Sequence, residues 1–210
     1  MPKSTFMNLS ESKKHRILKG LIVTFIELGY DQTTVADLIK GCDIPRGSFY
    51  QYFLDKYDAF YYVITAIQKD KIKYLEPYMN KIGQTPFLDL YVTLFDKGIQ
   101  FAYDSPEAFK IGQILFKSHD KDIAKLWHTL EQTALDFYVN ILSIDQKAGY
   151  IKKNVNIEMV AKILYRLNAI DVVEEFIKGK GRQALLNIAI DAVKILKNGI
   201  MEVSNEKENI

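Results

Sequence analysis

The sequence predicts an all-α protein, with a small N-terminal three-helix head carrying a helix-turn-helix and a longer C-terminal helical bundle. Three observations predict it. Apolar residues recur at helical spacing along most of the chain, Gly- and Pro-bearing breaks separate the stripes, and residues 33–53, TTVADLIKGCDIPRGSFYQYF, place two short helices about a tight turn. The expected domains are residues 1–55 for the head, 56–204 for the bundle and 205–210 for a disordered tail.

The first helix has Asn8 or Ser10 as its cap and Glu11 in its first turn, and Ile17, Leu18, Leu21, Phe25 and Leu28 trace its buried stripe. It ends at Leu28, where Gly29 supplies a left-handed cap and Tyr30 the apolar contact that often follows. Thr33 or Thr34 caps the second helix, Asp37 suits its macrodipole, and Val35, Leu38 and Ile39 form its inner face. Gly41 weakens that helix, Asp43 tolerates a left-handed turn, and Pro45 pushes Ile44 out of helical geometry. Pro45 can then open the third helix at its first position. Phe49 and Phe53 stand four apart on its inner stripe, leaving Arg46, Gly47, Ser48, Tyr50 and Gln51 on other faces.

Two helices joined by so short a turn match the helix-turn-helix, whose second helix enters the major groove and reads bases from its N-terminal end. Arg46 is the strongest base reader, because its fork can meet two guanine acceptors at once; Gly47 lets the backbone approach, and Ser48, Tyr50 and Gln51 offer hydrogen bonds. Lys56 is placed for a phosphate.

A long helix is expected from about Lys56 into the Tyr74–Met79 region, carrying Ala59, Phe60, Val63, Ile64 and Ile67 and linking head to body. Gly83, Thr85 and Pro86 break the chain before a helix containing Phe87, Tyr91, Leu94 and Phe95. Asp104, Ser105 and Pro106 break it again before Phe109–Lys117, and Asp120 or Asp122 opens a helix through Ile141. Asn156 caps a helix to about Lys178, and GKGR at 179–182 makes the turn into a last helix ending near Gly199. These last two helices are apolar around too much of their circumference for a monomer, so a two-fold homodimer pairing them into a four-helix bundle is expected.

Composition narrows the function classes. The chain has 210 residues, 48% of them hydrophobic, and a net charge of +2, so attraction to DNA must come from placement rather than from overall charge. Through Lys56 there are eight Lys/Arg against six Asp/Glu, including Lys13, Lys14, Arg16 and Lys19 near the start. No uncharged apolar run spans a bilayer and no secretory run opens the chain, which predicts a cytoplasmic protein without a membrane partner. The one cysteine, Cys42, permits no internal disulfide. His119 and His128 lack metal-motif spacing, and no carboxylate pair or nucleophile-base arrangement points to catalysis, so neither an enzyme nor a cofactor nor a metal site is expected.

The run LGYDQTTVADLIKGCDIPRGSFYQYFLDKYDAF, Leu28 to Phe60, resembles the N-terminal signature of the TetR family of transcriptional regulators, most strongly in GYDQTTV and in GSFYQYF followed by Lys56. The signature covers about a quarter of the chain; the rest is matched by length and helical pattern. The resemblance implies a DNA-binding head before a helical ligand-binding body that dimerises through its last two helices. It implies base or backbone contacts at Arg46, Gly47, Ser48 and Tyr50, and phosphate contacts at Thr34, Gln51, Tyr52 and Lys56, with Thr33 beside them in the DNA-facing set. The chain departs from the family at Ile39 (usually alanine), Asp43 (usually glycine) and Gln51 (often histidine or an aromatic), which bears on packing and operator sequence.

The function expected on these grounds is a ligand-responsive transcriptional regulator, a repressor whose homodimer grips a near-palindromic double-stranded operator and is released by a small hydrophobic or amphipathic effector. The alternative is a helix-turn-helix adaptor acting through a protein partner. Tyr91, Phe95, Phe116, Trp127, Phe137, Tyr138 and Tyr165 are the aromatics that could line an effector pocket, with His119, His128, Arg166 and Asn168 as polar handles.

Overall fold

Helices begin where the sequence supplies acceptors for backbone N–H groups that have no partner in the first turn. The structure is a computed structural model that describes residues 2–200. The tail expected at 205–210 and the last residues of the expected bundle, 201–204, lie outside the described residues. After a one-turn helix α1 (Ser4–Met7) come α2 (Glu11–Gln32), α3 (Val35–Cys42), α4 (Arg46–Tyr52), α5 (Lys56–Met79), α6 (Phe87–Asp104), α7 (Pro106–Lys117) and α8 (Lys121–Lys147). Helix α9 (Ile157–Arg166) passes through a π-helical turn, Leu167–Asp171, into α10 (Val172–Ile177), and α11 (Arg182–Ile200) follows.

The caps explain these boundaries. Ser10, not Asn8, caps α2, its hydroxyl accepting from Lys13 N–H at 3.4 Å. Asn156 caps α9 by accepting from Met159 N–H at 3.0 Å, and Asp120 serves α8 by accepting from Asp122 N–H at 2.8 Å. Gly29 interrupts α2 with φ 72° and ψ 161°, a region open only to glycine and different from the left-handed cap expected there. The chain turns so sharply that Leu28, expected in the buried stripe, is 42% exposed, while Tyr30 folds back into the core. The helix expected from Asn156 to Lys178 is interrupted by the π turn, which periodicity does not reveal.

The chain divides into two compact units, Met1–Tyr74 with Phe101–Thr129, and Leu75–Gln100 with Leu130–Ile210. The first is built on a close crossing of α2 and α3. A Cβ added at Gly20 would lie 2.6 Å from the Gly41 carbonyl oxygen, and one added at Gly41 would lie 2.0 Å from Thr24 Oγ1, so glycine at both positions lets the backbones approach. Around the crossing, Ile17, Leu21, Phe25, Leu38, Phe49, Phe53 and Phe60 are fully buried. In the second unit, α6, α8, α9 and α11 enclose a core that includes Phe87, Tyr91, Leu142, Leu164, Leu185 and Ala189. Asp145 is buried there and ties α8 to α6, accepting from Phe87 N–H at 2.6 Å. Burial pushes its carboxyl above the usual range, against the Phe87 bond, with Asp89 nearby adding to the rise. Arg182 grips Asp96, Nη2 donating to both carboxylate oxygens at 2.7 and 2.8 Å and Nε donating to Oδ1 at 3.1 Å.

Candidate nucleic-acid interface

Helix α3 starts on a reciprocal capping box. The Thr34 hydroxyl accepts from Asp37 N–H at 3.2 Å, and Asp37 Oδ2 accepts from Thr34 N–H at 3.0 Å and from the Thr34 hydroxyl at 2.6 Å. These bonds, the hydroxyl's first, hold the Asp37 carboxyl below its ordinary range. The helix closes at Asp43, which takes φ 50° and ψ 56°, the left-handed turn expected of it. Pro45 then acts as the N-cap of α4 rather than as its first helical residue, its carbonyl accepting from Ser48 N–H at 2.9 Å and Phe49 N–H at 3.2 Å.

Helix α4 has two faces. Phe49, Tyr52 and Phe53 are buried, whereas Arg46, Gly47, Tyr50 and Gln51 are exposed and Ser48 is half-buried. Nothing lies within 4 Å of the position a Gly47 Cβ would take, so that turn of backbone is open to an approaching surface. Thr34 is also exposed. The outward set brought together by the helix-turn-helix is therefore Thr34, Arg46, Gly47, Ser48, Tyr50 and Gln51.

Three members of the DNA-facing set are placed otherwise. Thr33 is 2% exposed and its hydroxyl donates to the Gly29 carbonyl at 2.5 Å, which satisfies that turn and removes Thr33 from the outer face. Tyr52 is 4% exposed, its ring packed against Phe6 and beneath Lys13 Nζ. Lys56 Nζ donates to the Tyr30 carbonyl at 3.0 Å and sits 4.3 Å from the centre of the Tyr30 ring, so it anchors the α2–α3 connection. Of the early basic residues, Lys14 pairs with Glu11 at 2.8 Å and Arg16 with Asp43 at 3.4 Å.

Sequence reasoning missed the N-terminal segment. Phe6 is fully buried against Tyr52, Phe53 and Tyr62, and Lys3 bonds to the end of α4. It also missed Asp31, which accepts from the Ser118 hydroxyl at 2.6 Å beside a cleft of about 530 Å³ in the first unit, lined by Ile26, Tyr30, Lys110, Gln113 and Lys117 among others. It also missed the capping at the start of α5, for which the Asp55-x-x-Asp58 spacing was the available signal: Asp55 accepts from Asp58 N–H at 2.8 Å and Asp58 from Leu54 N–H at 3.0 Å.

None of the seven expected pocket aromatics lines that cleft. Phe116 and Trp127 stack edge to face, 5.6 Å between centres, in the first unit. Tyr91, Phe95, Tyr138 and Tyr165 are buried in the core of the second, and Phe137 is 40% exposed. Two of these tyrosines carry polar contacts inside that core. The Tyr91 hydroxyl donates to the Leu164 carbonyl at 3.2 Å, and Asn168, in the π turn, donates to the Tyr138 hydroxyl at 3.1 Å. Burial raises both phenols above their ordinary range, and raises Tyr165 to about 12. Cys42 is buried with its thiol against the Ile17 carbonyl, and burial, partly opposed by Arg16, pushes it up to about 12.

A family model described as bacterial regulatory proteins, tetR family, matches residues 17–60, the segment that contains the capping box, the turn and the two-faced helix. The uncharacterized HTH-type transcriptional regulator YdgC of Bacillus subtilis (strain 168) is 26% identical over 201 residues, covering 93% of this chain and 96% of that one. The helix-turn-helix segment of this chain is thus similar to that of the tetR family. Solved structures extend the similarity of fold to both units: a SmeT–triclosan complex has a TM-score of 0.76 at 16% identity, covering 92% of this chain and 94% of that one. FadR from Bacillus subtilis in complex with stearoyl-CoA has a TM-score of 0.69 at 16% identity, covering 89% and 98%. YdgC and FadR are described as transcriptional regulators, and the described residues of this chain share an all-α fold with an N-terminal helix-turn-helix. Among the described residues, no helix is long and apolar enough to cross a membrane.

Proposed function

We propose that the protein is a ligand-responsive repressor that binds a near-palindromic operator as a homodimer and releases it when a small hydrophobic or amphipathic effector binds the helical body. The observation that carries this reading is the two-faced α4, whose aromatic side is locked into the head while Arg46 and Gly47 stand outward from its N-terminal turn and Tyr50 and Gln51 are exposed in the turn that follows. Arg46 reads a base bidentately, Gly47 admits the duplex backbone, and Thr34, Ser48, Tyr50 and Gln51 supply the remaining contacts, so that residues 1–55 act as the DNA-binding domain. Function on chromosomal DNA places the protein in the cytoplasm.

Dimerisation is supported by the outer faces of the last helices. Met159, Ile163 and Ile195 are 54, 43 and 73% exposed, although the opposite sides of the same helices are buried. Pairing these faces about a two-fold axis covers them and sets two heads to meet successive major grooves, about 34 Å apart.

Effector binding is supported by the tyrosine-rich interior of the second unit and by relatives solved with triclosan and with stearoyl-CoA. Tyr91, Tyr138 and Asn168 offer polar groups within an apolar surround, and the π turn beside them is a point where the helix can repack. An effector that lowers operator affinity 100-fold needs about 2.7 kcal/mol of preference for the released conformation. Selection from random duplexes tests the function: enrichment of one inverted-repeat sequence supports it. No enrichment, together with stoichiometric recovery of one protein partner, supports the adaptor reading instead.

A further inference from the structure

Helix α4 has only seven residues, far fewer than a helix needs to persist in water, so its direction is set by what holds its ends. Its last carbonyls lack partners within the helix. Phe49 O accepts from Phe53 N–H at 2.8 Å. The next partners come from the start of the chain: Lys3 N–H donates to Tyr52 O at 2.8 Å, and Lys3 Nζ donates to Tyr50 O at 2.8 Å. One side chain and its own backbone thus take two of the remaining orphan carbonyls, with the ammonium at the helix's negative end. Three residues on, Phe6 is fully buried, its ring 5.7 Å from Tyr52, 5.1 Å from Phe53 and 4.9 Å from Tyr62. It therefore bridges the end of α4 to α5.

We infer that residues 2–7 form a strap that positions α4 for DNA, with Lys3 fixing the carbonyl end of the helix and Phe6 anchoring the strap between α4 and α5. Arg46 and Gly47 stand at the N-terminal turn of α4, so a swing about the far end changes their register on DNA without altering their chemistry. Lys3 is a positioning residue for specificity: strap contacts are made within the head and touch no base. The inference rests on the DNA-binding reading for its consequence and on the geometry of the free protein for its cause.

Both are read in the full-length protein with Lys3→Met, which leaves Phe6 and the backbone bond in place, and with Lys3→Arg, which keeps a donor. The measurements are affinity for the selected operator and for a random duplex of equal length at the same salt, and amide hydrogen exchange across residues 46–53. Lys3→Met should weaken operator binding about tenfold, leave the random duplex within about twofold, and speed exchange in α4; Lys3→Arg should restore all three. Unchanged α4 exchange overturns the strap. So does an equal loss on both duplexes with the salt slope reduced by about one, which makes Lys3 a phosphate contact instead. If the wild type prefers no duplex at all, the DNA-binding reading fails, and the exchange measurement alone still decides whether the strap holds α4.

Discussion

Replacing Gly20 with alanine probes the packing that sets the helix-turn-helix in place. Taken alone, alanine in the middle of α2 favours the helix by about 1 kcal/mol over glycine. The added Cβ, however, lies 2.6 Å from Gly41 O, 2.8 Å from Cys42 Cα and 3.0 Å from Gly41 C, against ordinary contacts of 3.4–4 Å. All three neighbours are backbone, so no side chain can rotate away and α3 must retreat by roughly 1 Å to recover normal van der Waals separation. Overpacking of this kind costs about 1–3 kcal/mol, more where backbone must move, so it outweighs the gain in propensity. The expected net loss of about 1–2 kcal/mol corresponds to a fall in Tm of roughly 2–8 °C for a chain of this size. Gly112→Ala is the control, since nothing lies within 4 Å of its added Cβ in α7. It should raise Tm by about 2–4 °C through propensity alone. Thermal unfolding followed by far-ultraviolet circular dichroism reads both. If Gly20→Ala is as stable as Gly112→Ala, the close crossing of α2 and α3 is wrong.

Thr34→Ala should cost about 0.5–2 kcal/mol in denaturant unfolding by removing the α3 cap. Because the Thr34 bonds hold the Asp37 carboxyl below its ordinary value, their contribution is complete above the unfolded value and is lost as pH falls through the depressed folded one. The gap between wild type and variant should therefore narrow below about pH 4, and a constant gap would refute the linkage. Asp145 carries the opposite sign. Burial raises its folded value, so the native state binds the proton more tightly and stability declines as pH rises from the unfolded value through the folded one. Asp145→Asn, which can still accept from Phe87 N–H, should lack that decline; identical stability-pH curves for the two proteins would show that the burial has no energetic consequence. Cys42, buried and with its thiol pushed up to about 12, should react with a thiol reagent at pH 8 only as fast as the head unfolds. Rapid stoichiometric labelling of the native protein would contradict its position.

The helix-turn-helix was legible because it depends on local chemistry. Thr34 and Asp37 stand at capping-box spacing, Asp43 tolerates the left-handed turn, Pro45 stops one helix and opens the next, and Phe49 and Phe53 mark the inner face. What was hidden depends on residues far apart in the chain. Gly20 and Gly41 read singly as weak helix positions, and only their meeting across two helices gives them a purpose. Phe6 lies in a segment with too few residues to show a period, and its partners are at 52, 53 and 62. Thr33 and Tyr52 could not be assigned a side from type alone: one has a hydroxyl that serves either a turn or a phosphate, the other a ring that serves either a core or a surface. The aromatics of the body show the same limit. Periodicity placed Tyr91, Phe95, Tyr138 and Tyr165 inward, as they are, but could not distinguish a filled core from a ligand-binding one, nor foresee a π turn at Leu167–Asp171.

If the outward face of α4 reads a specific duplex, Arg46→Ala should reduce the discrimination between that duplex and random sequence. Arg46 is exposed on that face, so its loss should leave folding intact. The measurement is the ratio of affinities for the selected operator and for random duplex, wild type against variant, at one salt concentration. Discrimination should fall by about 1–3 kcal/mol per half-site, through loss of one base-pair contact in each. An unchanged ratio in a folded variant would mean that α4 does not read the groove.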